Sequence, residues 1–413
     1  MEEPFRVTWF ALVIASPTLL SICRGELQCT MWNCEFPLIN MSAGGAATLR
    51  RLVDEAYEIQ YPTFALVINK LIIGSFVSSE FVTFLGRLTD SIEFFQFHDA
   101  VFPLPSDASI KKITITPGSK LRIFSAGRNN FLESLFIGST LLTSVPASLV
   151  NLPALKELYV TNYPITTVHM DVFASNSQLE HVNLSSNKIK LLLPSTANDR
   201  QTYSIQKFDL SRNQLDHLEM TVFYSMPKLE RLVLAHNVFP RYTYITIGLR
   251  TLRRDGRLVQ IPKLITLYIH GNNIKQLDLS VLQANKDLMF LLMEHNKFRT
   301  LRASKPLRLN KLKSIDAEYN NITSVNFTLC DFPNIRSISL RYNRLKSIPP
   351  IFDRFPEVTL RMRGNPLSCG AIQPFKTQLV EGRLVLSTTS TENSCSTTSF
   401  ITIDSDWKVC CDL

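Results

Sequence analysis

Apolar residues in the middle of this chain recur on a fixed spacing. Between Leu132 and Leu367, a unit of about 23 to 26 residues carries apolar side chains at its positions 1, 4, 6 and 11 and usually Asn at position 9. Copies run Leu179/Val182/Leu184/Asn187/Ile189, Ile205/Phe208/Leu210/Asn213/Leu215 and Leu229/Leu232/Leu234/Asn237/Phe239. After a longer interval the pattern resumes as Leu264/Leu267/Ile269/Asn272/Ile274, Leu288/Leu291/Met293/Asn296/Phe298, Leu312/Ile315/Ala317/Asn320/Ile322 and Ile335/Ile338/Leu340/Asn343/Leu345. Positions 4 and 6 straddle one outward residue, so each unit is predicted to form a short strand with one apolar side, closed over by positions 1 and 11.

One such coil cannot bury its apolar side alone. Stacked coils can, because each strand pairs in parallel with the next and the apolar residues merge into one column. This spacing is the leucine-rich-repeat signature, and the fold expected is an α/β solenoid with a curved parallel sheet on its concave face and disulfide-stapled end caps. The position-9 amide has donors and an acceptor for buried backbone groups of its own and the adjacent coil. Asn187, Asn213, Asn237, Asn272, Asn296, Asn320, Asn343 and Asn365 are therefore predicted to form a structural ladder. Toward the N-terminus, Leu155/Leu158/Val160 and Leu132/Leu135/Ile137 keep the apolar positions but carry Tyr163 and Thr140 in place of Asn, and Ile110/Ile113/Ile115 is poorer still. Phe64 to Phe102 reads as one or two degenerate coils, and Ala46 to Glu58 as a short helix.

Trp9 to Ile22 has the length of a signal-peptide core and is too short to span a bilayer, with Cys23-Arg24-Gly25 as the cleavage region. Residues 1–25 are thus read as a signal peptide, 26–63 as an N-terminal cap, 64–367 as the solenoid and 368–413 as a cysteine-rich C-terminal cap. A secreted, extracellular protein without a membrane span is expected. The sequons at Asn40, Asn183, Asn321 and Asn326 fit that compartment. Cys29 and Cys34 are expected to pair with each other. Vicinal Cys410 and Cys411 are each expected to seek a different partner, and Cys369 and Cys395 are the two available, in either crossed arrangement. Cys330 occupies the coil position of Phe173 and Phe223 and reads as a buried free thiol. No cysteine is left to join a second chain, so a monomer or a non-covalent assembly is expected.

Lys and Arg number 44 against 35 Asp and Glu, a net charge of +9 without a long basic run, so a nucleic-acid-binding face is not indicated. Arg250, Arg253, Arg254 and Arg257 cluster in the long interval between coils, as a solvated loop or a docking site for an acidic partner. No catalytic or cofactor motif is present, and neither an enzyme nor a bound metal or cofactor is expected. His236, His270 and His295 fall at positions 8, 7 and 8 of consecutive coils, beside Glu294. Outward positions that only meet water are polar as a rule, yet Val233, Tyr268 and Leu292 hold position 5 of those coils, joined by Phe290 at position 3 and by Tyr319 and Tyr342 at position 8. Together these residues are predicted to form a protein-binding patch. A glycan on Asn183, also at an outward position 5, is expected to obstruct the N-terminal half of that face.

The last coil closes as Gly364-Asn365-Pro366-Leu367-Ser368-Cys369-Gly370, then come Cys395 and the terminal Val409-Cys410-Cys411-Asp412-Leu413. This arrangement resembles the C-terminal cap of the mosquito leucine-rich-repeat immune proteins. The resemblance spans signal, repeats and cap, with its specificity in the cap, and it implies a secreted factor of insect humoral immunity in the haemolymph. Long members of that family dimerise through a coiled coil and hold complement-like thioester-containing proteins. Heptads are missing here, so the chain looks like the coil-less branch. A thioester-containing protein or a related leucine-rich-repeat protein is the partner implied. The alternatives are a shed or decoy ectodomain of a leucine-rich-repeat receptor, and an enzyme inhibitor binding through the concave face.

Overall fold

The computed structural model describes residues 28–29, 33–36, 39–40, 47, 65–68, 71–72, 78–195 (except 95–96, 98, 117–118 and 139–140), 202–216, 220–239, 261–386 (except 262), 400–403 and 408–411. The chain divides into two compact units, Met1–Ile205 and Gln206–Leu413, each a stack of leucine-rich-repeat coils.

In the first unit, β1 (Gln28–Cys29) runs antiparallel to β2 (Asn33–Phe36). From β2 onward every neighbour is parallel and in chain order: β3 (Ala65–Ile68), β4 (Ser91–Phe94), β5 (Lys112–Ile115), β6 (Ser134–Gly138), β7 (Glu157–Thr161) and β8 (His181–Asn183). Equivalent repeat positions are register partners: Leu135 lies between Ile113 and Leu158, and Leu158 pairs with Val182. Their side chains are at most 2% exposed, the column that parallel stacking requires. Helix α1 (Ser79–Leu88) lies in the stretch read as degenerate coils. Ser78 caps it, its Oγ accepting the Phe81 N–H at 3.1 Å, and Val82 and Leu85 are buried. Of the helix read at Ala46 to Glu58, only Ala47 is described, and it is helical.

The second unit repeats the plan with β9 (Lys207–Asp209), β10 (Arg231–Val233), β11 (Thr266–Tyr268), β12 (Phe290–Leu292), β13 (Ser314–Asp316), β14 (Ser337–Ser339), β15 (Thr359–Arg361) and β16 (Leu384–Val385), all parallel in that order. The parallel sheet strands β2 and β16 lie outside 64–367, so sheet pairing reaches into both segments read as caps. On the side away from the sheet, Phe327, Phe332 and Phe355 pack ring to ring at 5.7 to 6.2 Å. Cys330 sits among the core residues as a free thiol, fully buried.

The position-9 asparagines make the sheet edge continuous. Asn296 Nδ2 donates to Ile269 O of the preceding coil at 2.9 Å and to its own Met293 O at 3.1 Å, while its Oδ1 accepts the Ile274 N–H. Asn187, Asn237, Asn272, Asn320, Asn343 and Asn365 likewise bridge to the coil before them. Asn213 Nδ2 donates to Leu210 O and Ser211 O of its own coil. A second set, Asn129, Asn176 and Asn285, stands three residues before position 1 and donates to carbonyls of the preceding coil. The sequence pattern did not single these out, because Asn occupies that place in only some coils.

At the C-terminal end, Ser368 caps α2 (Cys369–Ile372), and Cys369 is bonded to Cys411 across a Cα separation of 5.1 Å. Cys410 is also disulfide-bonded. Cys395, residues 1–25 read as a signal peptide, and Arg250 to Arg257 lie outside the described residues. Cys29 and Cys34 are register partners across the β1–β2 pair, their side chains being outside the description.

Candidate interaction surface

The outward face of the sheet strands in the second unit is built from positions 3, 5, 7 and 8 of successive coils. Position 8 has a conformational requirement that the apolar pattern does not reveal. Asn162, Ser186, Arg212, His236, His295, Tyr319 and Tyr342 all have φ between 51° and 66°, as do Gly271 at 65° and Gly364 at 74° slightly beyond. This left-handed turn costs a residue with a Cβ roughly 1 to 2 kcal/mol. It lets each position-8 N–H reach the position-7 carbonyl of the following coil: His236 to His270 O at 2.9 Å, His295 to Glu318 O at 3.0 Å, Tyr319 to Arg341 O at 2.9 Å. Repeated down the stack, these bonds offset the local cost.

The turn also aims the position-8 side chains along the stack. The rings of His295 and Tyr319 lie parallel with centroids 4.4 Å apart, and Tyr319 and Tyr342 repeat that geometry at 4.4 Å. His236 instead meets His270 edge-on at 5.1 Å. The three histidines of the sequence pattern are thus divided: His236 and His270 touch, whereas His295 belongs to the tyrosine column. No metal-holding cluster occurs among the described residues.

Beside this column lies the apolar group. Phe290 is 38% exposed, and Tyr268 and Leu292 are half-buried. Arg231 places its guanidinium 4.7 Å from the Tyr268 ring centroid, a cation–π contact. Val233 is a correction to the sequence reading. Predicted to face solvent, it is only 8% exposed, because its short side chain is flanked by its register partners Asp209 and the much larger Tyr268.

Next to Leu292 the face becomes acidic. Asp316 is its register partner, and Glu294 and Glu318 stand at the neighbouring position 7. Burial, with Glu294 and Glu318 adding like charge, pushes the Asp316 carboxyl up to about 6, and burial likewise raises Glu294. Arg341 approaches Glu318 at 3.4 Å, and Ser339 donates to the same oxygen. Burial lowers His270 and His236, and neighbouring cationic groups lower them further. His270 Nδ1 lies 3.7 Å from Glu294 Oε1. His270 Nδ1 and Glu294 Oε2 are shielded from solvent without a hydrogen-bond partner among the described residues. Sequence reasoning noted Glu294 alone; Asp316 and Glu318 occupy the same outward positions in the next coil.

Among the sequons, Asn183 is half-buried on β8 in the first unit, Asn321 is half-buried and Asn326 exposed, and the Asn40 side chain lies outside the description. No helix among the described residues is long and apolar enough to cross a membrane.

No protein-family profile matches the chain. Podocan-like protein 1 of Mus musculus is 26% identical over 227 residues, covering 53% of this chain and 37% of its own length. Osteomodulin of Bos taurus is 24% identical over 235 residues, covering 52% of this chain and 53% of its own length. Both are small leucine-rich-repeat proteoglycans, and the chain spans about half or less of either one. Among solved structures, the TLR13–ssRNA13 complex contains a chain that superposes with a TM-score of 0.50 at 17% identity, covering 79% of this chain and 57% of that one. These likenesses establish a leucine-rich-repeat protein. They extend to that class at large rather than to the mosquito immune family suggested by the cap cysteines.

Proposed function

We propose that this is a non-enzymatic extracellular binding protein that captures a protein partner on the outward face of the sheet strands in its second unit. The observation that carries this reading is exposed Phe290 with half-buried Tyr268 and Leu292, lying directly against the acidic group Glu294, Asp316 and Glu318. An apolar anchor set beside fixed charge of one sign is the composition of a binding core with its specificity rim. It fits a partner segment that presents an apolar side chain next to Lys or Arg. The Cys369–Cys411 bond supports an oxidising, extracellular location.

The finer proposal is a factor of insect humoral immunity whose partner is a complement-like thioester-containing protein or a related leucine-rich-repeat protein. It is supported by the cap pattern Cys369-Gly370, Cys395, Cys410-Cys411-Asp412-Leu413. Affinity capture from haemolymph with the secreted chain as bait tests both levels. A thioester-containing protein is expected with the native chain and is expected to be depleted with Tyr268→Ser/Leu292→Ser. Undiminished capture by the double variant overturns the surface; capture of other proteins alone overturns the immune partner.

A further inference from the structure

The first unit carries its own aromatic feature on the outward face, at position 5 of three successive strands. Phe136 on β6 is the register partner of Tyr159 on β7, and Tyr159 is the register partner of Asn183 on β8. The Phe136 and Tyr159 rings stack with centroids 4.3 Å apart and planes 13° from parallel, and Lys112 Nζ stands 5.1 Å from the Phe136 centroid. The two rings form a half-buried platform, and Asn183 is the next residue in the row.

Around the platform is a hollow of about 390 Å³, lined by Thr114, Phe136, Tyr159, Thr161, Asn183 and Ser185. That volume falls within the roughly 300 to 1,000 Å³ of small-ligand sites. The lining combines flat aromatic rings with hydroxyls. Sugar rings suit such a lining, because one face presents polarised C–H groups to the negative face of an aromatic ring while the hydroxyl rim hydrogen-bonds. Asn183 opens the sequon Asn183-Leu184-Ser185. Its Oδ1 accepts the Ser185 N–H at 2.9 Å, which fixes the side chain through its oxygen and leaves Nδ2 as the atom for attachment.

We propose that this hollow is the seat of the protein's own N-linked glycan on Asn183, with the first N-acetylglucosamine residues lying against Tyr159 and Phe136. The bond forms on the unfolded chain during secretion. Asn183 Nδ2 attacks the anomeric carbon of a polyprenyl-diphosphate-linked oligosaccharide, the N–C bond replaces the C–O bond to diphosphate, and Nδ2 gives up one proton. On folding, β8 carries the sugar to the platform. The glycan then covers the half-buried aromatic pair and closes this face to protein partners, leaving docking to the strands of the second unit.

The test uses the full chain secreted from insect cells grown with ¹³C-labelled glucosamine. Peptide mass spectrometry should show Asn183 occupied. In the native protein, ring protons of the innermost sugar should move upfield through the ring currents of Tyr159 and Phe136, and the shift should vanish in Tyr159→Ser and on denaturation. Asn183→Gln, which keeps the strand but accepts no sugar, should increase binding of an apolar fluorescent dye. An unoccupied Asn183 overturns the proposal. So do sugar resonances at their free-glycan positions in the native wild-type protein, a result that does not depend on whether either variant folds.

Discussion

The ring of His236 lies over the backbone of Gly271, so close that a Cβ on that glycine would stand 2.3 Å from His236 Nδ1. Tyr342 covers Gly364 in the same way, at 2.5 Å from its Cδ1. Both glycines hold the left-handed turn of position 8. Gly271→Ala should therefore lower stability by about 1 to 2 kcal/mol through its backbone conformation and push His236 out of its contact with His270. Urea denaturation and the His236 ring resonances measure the two effects separately. An unchanged midpoint contradicts this account.

Asn296 bonds groups in two coils, sharing Ile269 O with Asn272 and Met293 O with Asn320, and its Oδ1 accepts the Ile274 N–H. Asn296→Ala leaves the Ile274 N–H without its side-chain acceptor, at about 1 to 3 kcal/mol for a buried group left unsatisfied, while Ile269 O keeps Asn272 and Met293 O keeps Asn320. The loss expected is about 1 to 3 kcal/mol by chemical denaturation.

Val233 and Tyr268 are register partners with opposite roles. Val233→Ser should weaken the fold and Tyr268→Ser the capture of the partner, by about 1 to 3 kcal/mol for an anchor of this kind. Comparing the two variants by thermal unfolding and by surface-immobilised binding separates the effects. A stable Val233→Ser that has lost binding would restore Val233 to the docking surface.

Asp316 gives the second unit a pH dependence of definite sign. Its folded pKa, about 6, lies above its ordinary 3.8, so the folded state holds the proton more tightly. The group stabilises the fold at acid pH, and that contribution is lost as pH rises from about 4 through 6. His236 and His270 act oppositely, since their folded values lie below 6.5 and acidification beneath that point costs stability. Asp316→Asn should remove the acid-side gain and raise stability at pH 7.5 relative to wild type. Denaturation midpoints at pH 5 and pH 7.5 test this; parallel pH profiles for wild type and variant would refute it.

With Cys411 bound to Cys369 and Cys410 also oxidised, Cys395 is the expected partner of Cys410. Non-reducing peptide mapping should find that bridge. Burial pushes the Cys330 thiol up to about 12, so it should resist alkylation until the protein unfolds. Rapid native labelling of Cys330, or a disulfide-linked dimer on a gel, would count against this arrangement.

What the amino-acid pattern determined by itself is whatever depends on position within one coil. The apolar residues at 1, 4 and 6 must face a core, and Asn at 9 must find backbone groups, because strand alternation and hydrogen-bond satisfaction act locally. Tertiary structure decided what depends on the next coil. The burial of Val233, the stacking of His295, Tyr319 and Tyr342 into one column and the choice of Cys411 for Cys369 depend on residues more than 20 positions away in the chain, and the raised pKa of Asp316 depends on Glu294 of the preceding coil as well as on Glu318 of its own. Helix α1 was hidden for a different reason: in so apolar a stretch as Phe64 to Phe102, helical and strand periodicities are hard to tell apart, and Ser78 with its capping bond settled the matter.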